Sequence, residues 1–458
     1  MARKKYRITV GFISLGCPKN AVDSERMLAE IAEAGFIITP ESYNSDVIVV
    51  NTCAFIAPAK AESLEVIKQA VADKADPKKR VSRVIVAGCL PERLGPNIYS
   101  EIDGIDAVVG LSQRDNIAKI VREVLSSDQP VPPFDKSDDP DWQRILDDRT
   151  RLLITPGHWA YLRISEGCNH RCSFCTIPAI RGRFRSKPRE LVLAEAKELV
   201  SAGVVELNLI AQDTTFYGRD LKMEDGLADL VGRLEKLRAL AWIRLMYSYP
   251  TGISKKLIET IAESEKIVHY LDIPLQHISN DILKSMRRPD TKNRLHKLIE
   301  DLRSAMPDIV LRTTMIVGYP GESDRHFNEL LDFIRWARFD ALGCFKFYPE
   351  TGTAAAEMLD QVPDDIKQQR LDELMLCQQE IAFEKNRGRV GSEITCLVDS
   401  VDSEFLAKGR YYGQAPEIDS LCLIKTGDRR KKHPILPGQF VRTKVVGTKE
   451  YDLITEPI

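Results

Sequence analysis

The sequence predicts an α/β protein in three parts: an N-terminal doubly wound parallel sheet, a central partial (β/α) barrel of the TIM type, and a small C-terminal antiparallel β-barrel. Strand-like and helix-like stretches alternate over residues 6–125 and again over residues 151–386, a pattern that is typical of parallel sheets. Residues 387–458 instead contain short strand-like runs with no helical period. Residues 126–150 are rich in Pro, Ser and Asp, and we expect them to form a linker.

The N-terminal region contains short runs of β-branched residues, and helical stretches follow them. The predicted strands are Arg7–Ser14, Asp46–Asn51, Arg83–Ala87 and Ala107–Val109. The predicted helices include Ala21–Glu33, Ala59–Val71 and Gln113–Leu125. In a parallel sheet the carboxyl ends of the strands lie at one edge, which is where ligands bind in doubly wound folds.

The central region repeats the strand–helix unit six times. Its predicted strands are Trp159–Ser165, Val205–Ala211, Trp242–Met246, Tyr270–Ile273, Val310–Val317 and Ala341–Phe347. Barrels of this kind carry their sites at the C-terminal ends of the strands. The C-terminal region has predicted strands at Ser392–Val398, Leu421–Ile424 and Phe440–Val446, and its length suits a barrel of oligonucleotide-binding-like size.

Composition and charge exclude some classes of protein. The 458 residues carry a formal net charge of −2, whereas a dedicated nucleic-acid binder usually shows a strong basic excess. No stretch approaches the ~18 apolar residues of a membrane span. The segment Met1–Cys17 resembles a lipoprotein signal, but Gly11 interrupts its apolar run and an alternating strand explains it better. Ten cysteines without a secretory signal indicate a reducing compartment, so we expect a cytoplasmic protein whose cysteines are ligands or core residues.

A cysteine triplet follows the first strand of the central region. Cys168, Cys172 and Cys175 stand in the spacing C-x-x-x-C-x-x-C, and no fourth cysteine is near them in the sequence. Three thiolates at this spacing can hold a 4Fe–4S cluster and leave one iron open to a small chelating molecule. The alternative is a structural zinc site with His170 or His158 as a distant fourth ligand.

The triplet, with Phe174 before its last cysteine, resembles the signature of the radical S-adenosylmethionine (SAM) superfamily. The resemblance implies that the open iron binds SAM and that electron transfer from the cluster releases a deoxyadenosyl radical. Five further residues lie in segments that resemble parts of SAM pockets, and we expect them to contact SAM: Gln212, Asp213, Gly318, Gly321 and Glu322. For the two glycines an ordinary turn is the alternative.

A second set of cysteines is spread over the N-terminal region. Cys17, Cys53 and Cys89 are equally spaced in the sequence, and each follows a predicted strand and precedes its helix. Since the carboxyl ends of parallel strands share an edge, we expect the three thiols to converge there and to hold a second three-cysteine 4Fe–4S cluster. Buried structural cysteines are the alternative for any one of them.

Two three-cysteine sites and a small C-terminal β-domain resemble the methylthiotransferase family, which has an N-terminal methylthiotransferase domain, a radical-SAM barrel and a TRAM domain. The segments Leu15-Gly16-Cys17-Pro18-Lys19-Asn20, Asn51-Thr52-Cys53-Ala54-Phe55-Ile56 and Ala415-Pro416-Glu417-Ile418-Asp419 are most similar to the branch that modifies a ribosomal protein. The resemblance implies methylthiolation of the β-carbon of an aspartate in ribosomal small-subunit protein twelve, with the second cluster holding a sulfur species and a second SAM supplying the methyl group. It also implies a reducing electron donor and a sulfur donor.

Charge favours a protein substrate over RNA, because residues 388–458 contain nearly equal numbers of basic and acidic side chains. The run Arg429-Arg430-Lys431-Lys432 is the exception, and RNA contact is not favoured. We expect Glu417 and Asp419 to face a basic protein partner, and we expect a chain that ends near Asn386 to keep both clusters. Two other functions stay open: methylthiolation of a modified adenosine in tRNA, and a non-catalytic iron–sulfur protein that binds RNA and senses oxidants.

Overall fold

The computed structural model describes residues 7–127, 129–131, 146–403, 405–426 and 434–458. Most of the predicted linker, the basic run at 429–432 and the first six residues of the signal-like segment lie outside these residues. Within them, no helix is long and apolar enough to cross a membrane.

The chain forms two compact units. The first unit consists of Met1–Ile154, Ser165–His170 and Cys175–Lys187. The second unit consists of Thr155–Ile164, Arg171–Phe174 and Pro188–Ile458. Cys168 and Cys175 therefore belong to the same unit as Cys17, Cys53 and Cys89, whereas Cys172 belongs to the second unit.

The first unit is built on a five-stranded parallel sheet in the order β2-β1-β3-β4-β5. Its strands are β1 (Thr9–Ser14), β2 (Ile37–Thr39), β3 (Val47–Thr52), β4 (Arg83–Gly88) and β5 (Ala107–Val109). Its first helices are α1 (Pro18–Glu33), α2 (Ala57–Ala75), α3 (Cys89–Leu94), α4 (Ile98–Glu101) and α5 (Ile117–Ser126). The predicted doubly wound parallel sheet is confirmed, with the short strand β2 in addition.

Side chains of β3 and β4 alternate between two hydrophobic cores, as the two-residue period of a strand requires. Ile48 and Val50 pack with Ile67 of α2 on one face. Val47 and Val49 pack on the other face with α1 and α5. Burial on both faces explains why these strands read as continuous apolar runs in the sequence.

The first unit also contains a short hairpin around the second cysteine motif. Strand β7 (Ser165–Glu166) pairs antiparallel with β8 (Arg185–Ser186), and helix α6 (Ile177–Arg181) lies between them in the chain.

The second unit begins with an open six-stranded parallel sheet in the order β13-β12-β11-β10-β9-β6. Its strands are β6 (Trp159–Arg163), β9 (Glu206–Ile210), β10 (Trp242–Leu245), β11 (Ile267–Gln276), β12 (Val310–Val317) and β13 (Ala341–Lys346). The helices are α7 (Arg189–Ser201), α8 (Gly226–Leu234), α9 (Lys255–Ala262), α10 (Asn280–Ser285), α11 (Lys292–Ala305), α12 (Asp324–Ala337) and α13 (Asp364–Gly388). Six parallel β/α units form the predicted partial barrel.

The C-terminal strands close into a barrel in the order β14-β15-β16-β18-β17. They are β14 (Glu393–Ser403), β15 (Leu406–Tyr411), β16 (Cys422–Lys425), β17 (Phe440–Lys449) and β18 (Asp452–Pro457). The predicted small β-barrel is confirmed. Four of its five pairings are antiparallel, and β16 pairs in parallel with β18.

Buried charges join the C-terminal barrel to the strands of the partial barrel. Arg410 is 1% exposed; its Nη1 donates to Glu206 at 2.7 Å, and its Nε donates to Asp399 at 2.8 Å. Arg244 donates to the other oxygen of Glu206 at 3.0 Å. Asp399 also lies 2.9 Å from Nε2 of His158. The buried carboxylate of Glu206 and the partly buried carboxylate of Asp399 thus each have more than one partner, which is the condition for tolerating a buried charge.

The expectation that Asp419 faces a partner is wrong, because its side chain is only 6% exposed. Glu417 is exposed, and its contact with a partner stays a prediction. Glu417 accepts a 2.9 Å hydrogen bond from the hydroxyl of Tyr161, and Asp419 accepts one of 2.8 Å from Tyr270. Asp419 also lies 3.4 Å from Arg312. Both acidic side chains therefore connect the C-terminal barrel to the partial barrel through hydrogen bonds. A chain that ends near Asn386 would lack Arg410, and the buried negative charge of Glu206 would then be paired with Arg244 alone. We therefore expect this truncation to destabilise the partial barrel.

We predict that Arg410→Met lowers the free energy of unfolding by about 3 kcal/mol, because it leaves the buried carboxylate of Glu206 with one partner fewer. Urea unfolding followed by tryptophan fluorescence measures the change. The matched control is Arg442→Met, since the Arg442 side chain is 72% exposed and pairs with an exposed Glu393. The control should cost about 0–1 kcal/mol; equal losses in the two variants would contradict the structural role of Arg410.

Candidate functional site

The three N-terminal cysteines lie at the carboxyl ends of adjacent parallel strands. Cys17 follows β1 and directly precedes α1, Cys53 comes directly after β3, and Cys89 is the first residue after β4. Cys17 is exposed, Cys53 is half-buried and Cys89 is buried. The predicted common edge thus presents three sulfurs at increasing depth.

The side-chain amide of Asn20 connects all three cysteine-bearing turns. Its Nδ2 donates to the carbonyl of Leu15 at 2.9 Å and to the carbonyl of Thr52 at 2.7 Å, just before the first two cysteines. Its Oδ1 lies 3.5 Å from Sγ of Cys89. Because both amide hydrogens are used by carbonyls, the orientation of the amide is fixed.

Two glycines let the cysteine-bearing turns approach each other. Gly16 has φ of +97°, and a Cβ at that position would lie 2.9 Å from Cβ of Cys53. Gly88 has φ of +95°, and its Cβ would collide with the side chain of Asn51. Any other residue would combine an unfavourable backbone with a clash. The turn after β3 is further held by Ser63, which accepts from N of Cys53 at 3.1 Å and donates to its carbonyl at 2.8 Å.

A buried arginine contacts the deepest of the three sulfurs. Nη2 of Arg181 donates to Sγ of Cys89 at 3.3 Å and to Oδ1 of Asn20 at 2.6 Å. Its Nη1 donates to Asp23 at 2.8 Å and to Glu166 at 3.3 Å. The guanidinium therefore has four acceptors in a planar arrangement.

Burial raises the pKa of the Cys89 thiol to about 12, and the charge of Arg181 opposes that rise. Negative charges on Cys17 and Cys53 would raise the pKa of Cys89 further. Burial also raises the pKa of Cys53. Since only thiolates bind metals, a cationic group must compensate the negative charge when this site is deprotonated.

Three cysteines at one sheet edge are a donor set that suits a three-cysteine iron–sulfur cluster, and their role as its ligands stays a prediction. Within the described part of the chain, no three His, Cys, Asp or Glu side chains are close enough to hold one ion. A four-iron cluster binds each thiolate through a different iron, so its sulfurs stand further apart than those around a zinc ion. His158, considered above as a zinc ligand, is engaged with Asp399.

In the second cysteine motif, Cys168 and Cys175 lie on the loop of the first unit that the hairpin β7–β8 closes. The amide of Cys168 donates to the carbonyl of Gly182 at 3.1 Å. The amide of Ile177, at the start of α6, donates to Sγ of Cys175 at 3.4 Å. Backbone and helix therefore fix both residues locally.

Cys172 and its neighbour Ser173 are held within the second unit. The amide of Ser173 donates to the carbonyl of Met286 at 3.1 Å, and its Oγ lies 2.8 Å from the hydroxyl of Tyr319. Phe174 packs against a hydrophobic cluster that includes Met286 and Tyr319. Burial raises the pKa of Cys172, and Arg288 lowers it by its charge and a hydrogen bond. A buried arginine thus contacts one cysteine of each motif.

Gln212 and Asp213 follow β9 at the C-terminal end of the strand, where a barrel site is expected. Oδ1 of Asp213 accepts from N and Oγ1 of Thr215, at 2.9 and 2.6 Å. This contact caps the short 3₁₀ helix Thr214–Phe216. Both residues stay predicted SAM contacts.

Gly318, Gly321 and Glu322 form the turn after β12. Gly318 has φ of +69° and approaches Lys367 so closely that a side chain would not fit. Both carboxylate oxygens of Glu322 accept from the amide of Gly318 at 3.0 Å, and Arg370 donates to one of them at 2.9 Å. Glu322 therefore shapes this turn, and the contact of the turn with SAM stays a prediction.

Sequence reasoning singled out neither Asn20 nor Arg181 as a site residue. Asn20 was visible as part of the first cysteine motif, but no pattern showed that its amide joins three turns. Arg181 stands far from Cys89 in the sequence, and nothing in its local sequence marks it as a sulfur contact.

Comparison with known families matches all three parts of the chain. Residues 9–110 match the uncharacterized protein family UPF0004, residues 162–334 match the radical SAM superfamily, and residues 390–458 match the TRAM domain. Among solved structures, the chain is similar to the radical S-adenosylmethionine methyltransferase TsrM from Kitasatospora setae. That match has a TM-score of 0.52 and 13% identity over 87% of this chain and 82% of that chain, which supports the fold alone.

Two curated relatives cover almost the whole sequence, and both are ribosomal protein uS12 methylthiotransferases RimO. The protein from Geobacter sulfurreducens is 43% identical over 98% of this chain and 98% of its own length. The protein from Desulforamulus reducens is 43% identical over 98% of this chain and 99% of its own length. Identity at this level across all three parts shows that the chain belongs to the RimO family of radical-SAM methylthiotransferases.

Proposed function

We propose that this protein adds a methylthio group to the β-carbon of an aspartate in ribosomal small-subunit protein twelve, uS12. The observation that carries the proposal is full-length membership of the RimO family together with two three-cysteine sets. Its cofactors are two 4Fe–4S clusters and SAM, with Cys168, Cys172 and Cys175 as ligands of one cluster and Cys17, Cys53 and Cys89 as ligands of the other. When bound, these groups supply a radical that can take hydrogen from an unactivated carbon, together with the sulfur and the methyl group.

The protein's own residues hold the cysteine-bearing turns in place and shield two of the six cysteines, Cys89 and Cys168, from water. Cys89 and Cys168 are 8% and 9% exposed, so their sulfurs are shielded from solvent. Asn20 and Ser63 fix the turns around the N-terminal cysteines, and Ser173 fixes the loop around Cys172. Shielding of this kind protects reactive species from side reactions with water.

The near balance of basic and acidic side chains in residues 388–458 favours a protein substrate over tRNA. RNA affinity depends on basic side chains that neutralise phosphates, so an RNA-binding domain would be expected to carry a basic excess. We further propose that the protein works in the cytoplasm, with a reducing electron donor and a separate sulfur donor.

Mass analysis of uS12 and of tRNA from a deletion strain tests the function and its nearest alternative. In the deletion strain we expect uS12 to lose the mass of one methylthio group, while the methylthio-adenosine content of tRNA stays unchanged. The intact gene on a plasmid should restore the mass of uS12. An unmodified uS12 in the parent strain, with methylthio-adenosine lost on deletion, would support the tRNA enzyme instead.

We predict that Cys53→Ala abolishes methylthiolation but leaves cleavage of SAM to deoxyadenosine, because the ligands of the other cluster are intact. The iron content should fall by about half, from two four-iron clusters to one. Anaerobic reconstitution followed by iron analysis and chromatography of deoxyadenosine measures both effects.

The matched variant is Cys168→Ala, which should also lose about half the iron but should form no deoxyadenosine. This pair separates an enzyme from an iron–sulfur sensor, since a sensor would cleave no SAM in any form. Wild-type iron content and continued methylthiolation in Cys53→Ala would contradict the second cluster.

A further inference from the structure

We propose that Arg181 is a positioning residue for the cluster of Cys17, Cys53 and Cys89, and that it raises the reduction potential of this cluster by donating a hydrogen bond to Sγ of Cys89. The inference rests on the proposed function, because it requires that cluster. It adds a residue that neither the sequence motifs nor the comparisons assign.

The first support is the geometry of the guanidinium. Its side chain is 5% exposed, and its four acceptors are the sulfur of Cys89, the amide oxygen of Asn20 and the carboxylates of Asp23 and Glu166. Arginine carries a permanent charge and a rigid planar set of donors. One N–H group is therefore held towards the sulfur of Cys89.

The second support is that the acceptors are themselves held. The amide of Asn20 is fixed by two carbonyls, as described above. Asp23 accepts a further hydrogen bond of 2.7 Å from Arg114, whose side chain is 3% exposed and which also bonds to Asp115. A guanidinium between fixed acceptors cannot turn away without leaving buried carboxylates uncompensated.

The third support is that, among the described residues, no side chain other than Arg181 donates a hydrogen bond to the sulfur of Cys89. Asn20 presents its oxygen to that sulfur because its nitrogen is occupied by carbonyls. Hydrogen bonds to ligand sulfurs and local charge set the potential of an iron–sulfur cluster within its class. A charged donor in a dry site stabilises the more negative, reduced form, and the potential rises as a result.

Arg181 also lies close in the chain to two cysteines of the second cysteine motif. It ends helix α6, which begins two residues after Cys175, and Glu166 lies two residues before Cys168. The segment that contains Cys168 and Cys175 therefore also contains Arg181, which contacts the sulfur of Cys89. All four residues belong to the first unit.

The test uses the full-length chain with Cys168, Cys172 and Cys175 all replaced by Ala, so that only the N-terminal cluster assembles. Potentiometric titration followed by electron paramagnetic resonance measures its midpoint potential. We expect Arg181→Met to reduce the equilibrium constant of one-electron reduction at least tenfold, which is a midpoint 59 mV more negative. Arg181→Lys, which keeps the charge but lacks the planar set of donors, should show a smaller shift.

The matched control is Arg114→Met, which removes a buried arginine from the same Asp23 without touching Cys89. We expect its equilibrium constant to stay within about threefold of the parent value, since the bond to sulfur remains. An unchanged potential in Arg181→Met, or an equal shift in Arg114→Met, would overturn the inference. If Arg181→Met fails to fold, Arg181→Lys against Arg114→Lys gives the same comparison. A parent variant that assembles no four-iron cluster would instead overturn the proposed function.

Discussion

The parallel register of β1, β3 and β4 is the constraint on which the N-terminal site depends. Ser14 pairs with Asn51, and Thr52 pairs with Gly88, so the three strands end at nearly the same level. A cysteine placed just after each strand is therefore brought to the same edge without any long-range sequence signal between them. The side-chain amide of Asn20 then connects the three cysteine-bearing turns, and it can contact all three only when the strands keep this register.

Buried arginines with several acceptors recur in both units and serve different purposes. In the second unit, Arg410 and Arg244 share the carboxylate of Glu206 and connect the C-terminal barrel to the partial barrel. In the first unit, Arg181 connects carboxylates to a sulfur. Desolvating a charge is costly, and such groups persist where most of their hydrogen bonds are satisfied. These ion pairs hold the C-terminal barrel to the partial barrel within the second unit.

The sequence predicted the order and type of the larger elements because strand and helix periods are local properties. The sequence also placed Cys17, Cys53 and Cys89 at the ends of strands, since strand-end position follows from local pattern; that the two sets of cysteines bind clusters stays a prediction. Strands β2, β7 and β8 were missed because they are only two or three residues long. Strands β15 and β18 were missed because charged residues, with Gly in β15 and Pro in β18, interrupt their apolar pattern. The expectation for Asp419 was wrong because the local sequence of a loop does not show that a tyrosine hydroxyl elsewhere in the fold donates to its carboxylate. Arg181 was missed for the same reason, since its contacts depend on tertiary structure.

The central claim is that one chain of the RimO family carries two four-iron clusters on two sets of three cysteines. Iron and sulfide analysis of the anaerobically reconstituted wild-type chain, together with Mössbauer spectroscopy, tests this most directly. Two clusters predict about eight irons per chain, all in four-iron environments with one iron of each cluster lacking a cysteine ligand. About four irons per chain with all six cysteines reduced and intact, or zinc in place of iron at either set, would contradict it.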